Sequence, residues 1–283
     1  MATTVIDGIS THYEVLGSGP ALLMFSPGGF DATIDKWRTQ GIYTRLKLLD
    51  HLPAHYTCIV FDRRESGQSG GRVERLTWGH YVAQGKGLLD HLGIDRAHVM
   101  GACMGCSPAM AFAVAHPETV ASLVLYWPVG GAHYRINSHQ RFAEHLKYLR
   151  QHGLPGVTNL VRLERKPFNQ DPRGGPWATA IINDAAFADA YAAQDLMRYF
   201  DVTSGTRESL FDRDTAPGAK PEDLLKVEAP ALIVPGRDRT HATSAARYLE
   251  ECLPKAEYWD VAPDAQTEEN VPPRLIEFLA RHR

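Results

Sequence analysis

Short apolar runs alternate with longer helical patterns along most of the chain. The runs at 21–25 and 57–61 are typical of buried strands, and 80–94 and 106–118 carry apolar residues at helical spacing. This order predicts an α/β fold with a mostly parallel sheet and helices on both faces. The first strand patterns, near 5–6 and 12–15, predict an antiparallel hairpin at one edge. Ligands of such sheets bind at the carboxyl ends of the strands.

The interval between the sixth and seventh strand patterns has a different composition. It is richer in polar and aromatic residues, shows helical patterns, and has no clear strand. We expect residues 1–132 and 223–283 to form the core, with 133–222 inserted after the sixth strand as a helical cap. With 283 residues, 44% of them hydrophobic, the chain is long enough for one large domain with such an insertion.

Charge and hydropathy favour an enzyme acting on a small molecule. A formal net charge of −3 gives no electrostatic reason to expect a nucleic-acid or membrane partner. The chain has no apolar run of membrane-spanning length, and its first ten residues lack signal-peptide features. We expect a cytoplasmic location, and a homodimer remains open. No nucleotide, metal or other cofactor motif is present, so we expect neither metal nor cofactor.

The segment "GACMG" at 101–105 has the spacing Gly-x-Cys-x-Gly at a strand-to-helix junction. Glycines flank a nucleophile in such a turn because side chains there would collide with neighbouring backbone. The N-terminus of the following helix would lower the pKa of the Cys103 thiol. We therefore predict that Cys103 is a nucleophile, the alternative being a cysteine that only packs.

Cys106 creates a second possibility, because Cys103 and Cys106 form the C-x-x-C spacing of thiol–disulfide enzymes. The chain is much longer than thioredoxin-like domains, and redox exchange has no need of the flanking glycines. We expect Cys106 to pack on the first turn of the helix.

Four motifs in order carry a family resemblance: "SPGG" at 26–29, "FDRRESGQSG" at 61–70, "GACMG", and "LIVPGRD" at 232–238. Together they resemble the α/β-hydrolase superfamily over essentially the whole chain. The resemblance implies an eight-stranded, mostly parallel sheet, and it matches Asp238 to the catalytic acid. One oxyanion-hole N–H would come from Met104, the residue after the nucleophile. Pro27 has no N–H, and position relative to the family's His-Gly turn indicates Gly28 for the other.

The catalytic base is where this sequence departs from the resemblance. The family's histidine follows the last strand, but residues 258–273 contain none. Two substitutes are candidates: His241, three residues beyond Asp238, and His133, after the sixth strand. Histidine at the position of His241 can equally serve as a helix cap. A cysteine tolerates a missing base better than a serine, because a fraction of its thiol is already ionised near pH 7.

The resulting hypothesis is an acyl hydrolase or acyltransferase in which Cys103 attacks an ester, lactone, thioester or activated ketone. Two alternatives stay open: a non-covalent lyase, decarboxylase or oxygenase using the same pocket, and a ligand-binding pseudohydrolase. Candidate substrate contacts are the residues near strand ends and in the cap loop, namely Tyr126, Trp127, His133 and Trp177. If they line the pocket, the substrate is small and partly apolar.

Overall fold

The computed structural model describes residues 2–282, and an eight-stranded sheet forms its centre. The strands are β1 (Ala2–Ile6), β2 (Ile9–Leu16), β3 (Ala21–Phe25), β4 (Thr57–Phe61), β5 (Ala97–Ala102), β6 (Val120–Tyr126), β7 (Ala231–Val234) and β8 (Ala256–Tyr258). Their spatial order is β1-β2-β4-β3-β5-β6-β7-β8. β1 pairs antiparallel with β2 and β2 with β4, and the remaining pairs are parallel. The predicted fold class is confirmed.

Burial along the strands follows from their position in the sheet. Every residue of β5, β6 and β7 is buried, because helices cover both faces of the central strands. In β2, by contrast, Ile9, Thr11 and Tyr13 are buried while the residues between them are more exposed. That period of two is typical of a strand with one face on the core.

Helices form two layers on the sheet. They are α1 (Lys36–Thr39), α2 (Ile42–Leu46), α3 (Leu48–His51), α4 (Trp78–His91), α5 (Cys106–Ala115), α6 (Ala132–Glu164), α7 (Ala178–Asn183), α8 (Ala185–Ala192), α9 (Leu196–Leu210), α10 (Pro221–Leu224), α11 (Thr243–Cys252) and α12 (Val271–Ala280). One face carries α4, α5, α10 and α11, and the other carries α1, α2, α3 and α12. Across residues 2–282, no helix is long and apolar enough to cross a membrane.

The segment between β6 and β7 contributes helices and no strand. Its apolar side chains, including Phe142 and Tyr199, form a third cluster together with Phe30, Cys103 and Met104. The inserted helices therefore lie over the carboxyl ends of the strands. The description of 133–222 as a separate cap domain stays a prediction.

Candidate active site

Cys103 lies on a strained turn between β5 and α5. Its φ is +54°, a conformation that non-glycine residues rarely adopt. A Cβ on Gly101 would overlap backbone atoms of Gly105 and Cys106, and a Cβ on Gly105 would overlap the Phe25 carbonyl. Only glycine fits at these two positions, so the motif holds the cysteine in this conformation.

The surroundings of the Cys103 sulfur favour its thiolate. Burial alone would raise the pKa of this thiol, since Cys103 is only 8% exposed. The positive charge of the His241 imidazole acts in the opposite direction and lowers this pKa, as do the backbone N–H groups of Gly28 and Met104. The stabilising contacts prevail, and the pKa of Cys103 is lowered from its ordinary value.

The same two N–H groups are the pair predicted for the oxyanion hole. Gly28 and Met104 line the same cavity as Cys103, and their N–H groups help to lower the pKa of its thiol, as donors of an oxyanion hole would. Gly28 has a φ of +110°, and a Cβ there would lie 2.8 Å from the Asp31 carbonyl oxygen. The loop conformation thus depends on glycine at this position.

His241 and Asp238 lie on the loop between β7 and α11. The imidazole Nδ1 is 3.0 Å and 2.9 Å from the two carboxylate oxygens of Asp238. The backbone N–H groups of Thr240 and His241 also donate to this carboxylate, at 2.7 Å and 2.9 Å. Separation by three residues does not prevent Asp238 from orienting the imidazole, because the loop folds back on the carboxylate.

Electrostatics couple the three side chains. The hydrogen bond from His241 holds the pKa of Asp238 well below its usual range, although burial acts in the opposite direction. Burial would lower the pKa of His241, but the Asp238 hydrogen bond and the Cys103 sulfur raise it to about 9. The Nε2 atom of His241 is buried and has no hydrogen-bond partner within residues 2–282, and the charge of the Cys103 thiolate contributes to the raised pKa of the imidazole. This arrangement favours a thiolate–imidazolium pair.

Gln266 occupies the loop after β8, where the resemblance leads one to expect histidine. It is fully buried, and its Nε2 donates to the carbonyls of Pro235 and Val261, at 3.1 Å each. Its Oε1 accepts hydrogen bonds from the Tyr126 hydroxyl and from Trp127 Nε1. Sequence reasoning missed this residue, because nothing in the segment after β8 distinguishes Gln266 from the other polar residues there.

Trp127 is thereby held against the base. Its indole ring lies 5.3 Å from the His241 imidazole, centroid to centroid. Gln266 therefore supports His241 through the Trp127 indole.

A cavity of about 360 Å³ opens above Cys103. Apolar side chains form its walls: Phe30, Val129, Phe142, Phe168 and Phe211. Polar side chains lie around it: Lys36, Gln40, Asn137, Arg141 and Asn169. The lining contains two cationic residues and no acidic one.

The two cations differ in how their charge is balanced. Lys36 Nζ forms an ion pair with Asp31 at 2.9 Å. Arg141 Nη1 donates to the Asn169 carbonyl at 2.6 Å, and none of the ion pairs within residues 2–282 includes Arg141. The cavity thus has an excess of positive charge at Arg141.

The four side chains expected to contact substrate do not line this cavity. Tyr126 and Trp177 are fully buried, the former bonded to Gln266 and the latter donating to the Arg72 carbonyl. Trp127 packs against the His241 ring, and His133 lies in a separate groove that Asp238 also lines. The polar groups of Tyr126, Trp127 and Trp177 bond to Gln266 or to the Arg72 carbonyl. Tyr134, which sequence reasoning did not single out, lines the cavity instead.

Cys106 has the packing environment expected of it. It is fully buried, and its sulfur lies 3.2 Å from the Gly101 carbonyl oxygen and 3.5 Å from that of Tyr126. Burial, with Cys103 nearby, raises the pKa of the Cys106 thiol well above its ordinary value. All four cysteines are free thiols. Between residues 2 and 282 there is no cluster of three or more potential metal ligands.

Comparison with known proteins agrees with this architecture. A family profile described as "alpha/beta hydrolase fold" matches residues 21–174. A 2-hydroxy-6-oxononadienedioate/2-hydroxy-6-oxononatrienedioate hydrolase of Paraburkholderia phymatum is 58% identical over 184 residues, 61% of this chain and 57% of the relative. A 2-hydroxy-6-oxo-6-phenylhexa-2,4-dienoate hydrolase of Comamonas testosteroni is 33% identical over 126 residues, 44% of this chain and 42% of the relative. The chain thus spans less than two thirds of either relative.

Among solved structures, a meta-cleavage product hydrolase variant from Pseudomonas fluorescens is similar. It superposes with a TM-score of 0.62 at 17% identity, covering 100% of this chain and 98% of that one. At this identity the similarity concerns the fold alone.

Proposed function

The chain belongs to the α/β-hydrolase family, and we propose that it is a hydrolase using Cys103 as nucleophile on a small, partly apolar carbonyl compound. One observation carries the proposal. Cys103, held at a φ of +54°, lines one cavity together with Gly28 and Met104, and the His241 imidazole and the N–H groups of Gly28 and Met104 lower the pKa of its thiol. Nucleophile, base and oxyanion donors are the parts that acyl transfer requires.

In the first step the Cys103 thiolate attacks the carbonyl carbon. A carbon–sulfur bond forms, and the carbonyl π electrons move to the oxygen, which accepts hydrogen bonds from Gly28 and Met104. When the tetrahedral intermediate collapses, the bond to the leaving group breaks. The leaving group takes its proton from the His241 imidazolium, whose charge Asp238 stabilises.

In the second step neutral His241 accepts a proton from water as the water oxygen attacks the thioester carbon. The same N–H groups hold the second oxyanion. Collapse breaks the carbon–sulfur bond, releases a carboxylic acid and regenerates the thiolate–imidazolium pair. An acceptor other than water would give acyl transfer by the same steps.

The cavity supports a substrate that carries a carboxylate. Its walls are phenylalanine rings and Val129, while Arg141 supplies a positive charge without an acidic partner in the described chain. Both curated relatives act, by name, on oxo acids: a dienedioate and a dienoate. We extend that substrate class to this chain.

The covalent step is tested with 4-nitrophenyl butyrate as the probe. Rapid quench followed by intact and peptide mass spectrometry should find a butyryl adduct on Cys103, with a burst of 4-nitrophenolate equal to the enzyme concentration. Cys103→Ala should abolish both signals. Cys252→Ser, at a thiol in α11 remote from the cavity, is the matched control and should retain them.

Turnover that persists in Cys103→Ala, with no adduct on the native enzyme, would overturn the proposal. The non-covalent lyase would then become the better reading. Absence of turnover together with saturable binding in the cavity would favour the ligand-binding role instead.

A further inference from the structure

Arg63 is a buried cation that no carboxylate neutralises. It follows β4 by two residues, and its exposed fraction is 2%. None of the ion pairs in the described part of the chain includes it, whereas its neighbour Arg64 pairs with both Glu65 and Glu74. Burying an unpaired charge is costly, so the contacts that Arg63 does make need an explanation.

Those contacts go to the loop that carries the proposed oxyanion donor. Arg63 Nη2 donates to the Gly28 carbonyl at 3.1 Å and also to the Gly29 carbonyl. The guanidinium lies over the Tyr81 ring, 4.7 Å from its centroid. The backbone N–H of Arg63 donates to the Ala32 carbonyl at 3.0 Å, farther along the same loop. Arg63 therefore binds this loop at three carbonyls.

Arg63 also lies within electrostatic range of the nucleophile's surroundings. Burial raises the pKa of Tyr134, which lines the cavity; the Cys103 thiolate raises it further, and the Arg63 charge lowers it. The Tyr134 phenol is therefore close enough to both the Cys103 thiolate and the Arg63 guanidinium for each charge to change its pKa. The Nη1 atom of Arg63 is buried and has no hydrogen-bond partner in residues 2–282.

We propose that Arg63 is a positioning residue for the oxyanion hole. Its guanidinium holds the Gly28 and Gly29 carbonyls, so that the Gly28 N–H stays directed at the Cys103 sulfur. Two consecutive glycines give this loop wide conformational freedom, and Gly28 has a positive φ. Charge-assisted hydrogen bonds are about twice as strong as neutral ones, and here they hold the Gly28–Gly29 and Gly29–Phe30 peptide planes. Holding these planes restrains rotation at Gly28 and thereby the adjoining peptide that carries the Gly28 N–H. Donors preorganised in this way need no rearrangement during reaction.

This inference rests on the proposed function, because the donor it positions serves acyl transfer. Arginine is required for its fork of N–H groups. Lysine would keep the charge but present a compact ammonium on a flexible stem. Glutamine would keep N–H donors but lose the charge.

The test compares Arg63→Lys and Arg63→Gln with the native enzyme, using 4-nitrophenyl butyrate as substrate and iodoacetamide as the thiol probe. We expect kcat to fall about 10²-fold in Arg63→Gln, the effect of losing one oxyanion donor, with KM little changed. The apparent pKa of Cys103 alkylation should rise, since the thiolate loses the Gly28 N–H. Arg63→Lys should recover only part of kcat.

Arg247→Gln is the matched control, because its guanidinium also lies over a tyrosine ring, 3.7 Å from the Tyr258 centroid, but far from the loop. It should change neither readout. Guanidinium chloride below denaturing concentration should restore activity to Arg63→Ala, while sodium chloride at equal ionic strength should not.

An Arg63→Gln enzyme with a lowered melting temperature but native kcat per folded molecule and native alkylation pKa would overturn the inference, leaving Arg63 a structural residue. If Arg63→Gln does not fold, Arg63→Lys with native kcat and alkylation pKa would overturn it as well. Failure of the proposed function is distinguishable. It would appear as turnover independent of Cys103, whereas the alkylation measurement tests Arg63 without any turnover.

Discussion

Replacing Asp238 with asparagine tests how the base is tuned. Asparagine keeps an oxygen for the backbone N–H groups of Thr240 and His241, so the loop retains those contacts. It removes the negative charge from beside the imidazole Nδ1. The substitution therefore changes the His241 proton affinity with little change in the loop.

The structure sets the size of the effect. The pKa of His241 is raised from an ordinary 6.5 to about 9 against the effect of burial, and the Asp238 hydrogen bond is the largest raising contribution. At about 1.4 kcal/mol per pKa unit, that rise corresponds to about 3 kcal/mol favouring the imidazolium. Both Asp238 and Cys103 contribute to this stabilisation of the imidazolium. We therefore expect Asp238→Asn to lower the His241 pKa by about 1–2 units.

The assay is kcat/KM for ethyl butyrate as a function of pH, because its alkoxide leaving group, unlike 4-nitrophenolate, must take a proton as it departs. In the native enzyme, the protonated His241 that serves the leaving group is lost above about pH 9, which gives a descending alkaline limb. In Asp238→Asn this limb should move toward neutral pH, and kcat/KM near neutrality should fall about 10²-fold, a typical contribution of general acid–base catalysis.

Asp260→Asn is the control, because Asp260 pairs with Arg237 and Arg247 near the same loop without contacting the imidazole. If the alkaline limb stays in place in Asp238→Asn, the Asp238 carboxylate does not raise the pKa of His241.

Three further predictions concern stability and specificity. His145 is fully buried between the Tyr199 hydroxyl and the Arg173 carbonyl, and burial lowers its pKa to about 4. Below about pH 6.5 the unfolded chain binds a proton that the folded chain does not, so this contribution to stability is present above about pH 6.5 and is lost as pH falls toward 4. Urea unfolding should show that the free energy of unfolding falls by about 2 kcal/mol between about pH 7 and 5. His145→Gln should lose most of this pH dependence, and the control His152→Gln should retain it. Gly105→Ala should lower the free energy of unfolding by about 3 kcal/mol in the same assay, because the new Cβ overlaps the Phe25 carbonyl. Gly79→Ala, where the nearest atom is 3.5 Å from the new Cβ, should not destabilise the fold, and equal effects of the two substitutions would contradict this explanation. Arg141→Gln should raise KM about 10-fold for mono-4-nitrophenyl glutarate but not for 4-nitrophenyl valerate, consistent with a charge-assisted hydrogen bond of about 1.5 kcal/mol; equal changes for both esters would exclude carboxylate recognition at Arg141.

The fold was predictable because its signals are local. The strand and helix patterns fix the element order, and the handedness of parallel connections leaves few ways to arrange them. The turn at Cys103 was predictable for the same reason, since Gly101 and Gly105 reveal its steric requirement in five residues. Gly28 and Met104 were predicted as oxyanion donors from that turn and from the family resemblance; both line the cavity with Cys103, and their role as donors stays a prediction.

The rest of the site depends on contacts between distant segments. The cavity walls combine Phe30, Phe142, Phe168 and Phe211, which no sequence pattern groups together. Tyr126 and Trp177 have the composition of pocket residues, but their polar groups bond to Gln266 and the Arg72 backbone.

Two supporting residues illustrate the same limit. Gln266 bonds to Trp127, whose ring packs against His241, and no local sequence pattern links these three residues. Arg63 appears in the sequence as one of two adjacent arginines, and nothing there distinguishes it from Arg64. Its position beneath the Gly28–Gly29 loop emerges only when the strands are assembled.

We propose above that Cys103 is an activated nucleophile paired with His241. The most direct measurement is the pH dependence of iodoacetamide labelling, with the modified cysteine identified by peptide mass spectrometry. We expect fast labelling of Cys103 with an apparent pKa below the ~8.5 of a free thiol, and a higher apparent pKa in His241→Ala. Labelling of Cys103 no faster than a free thiol, with the same pKa in both proteins, would contradict it.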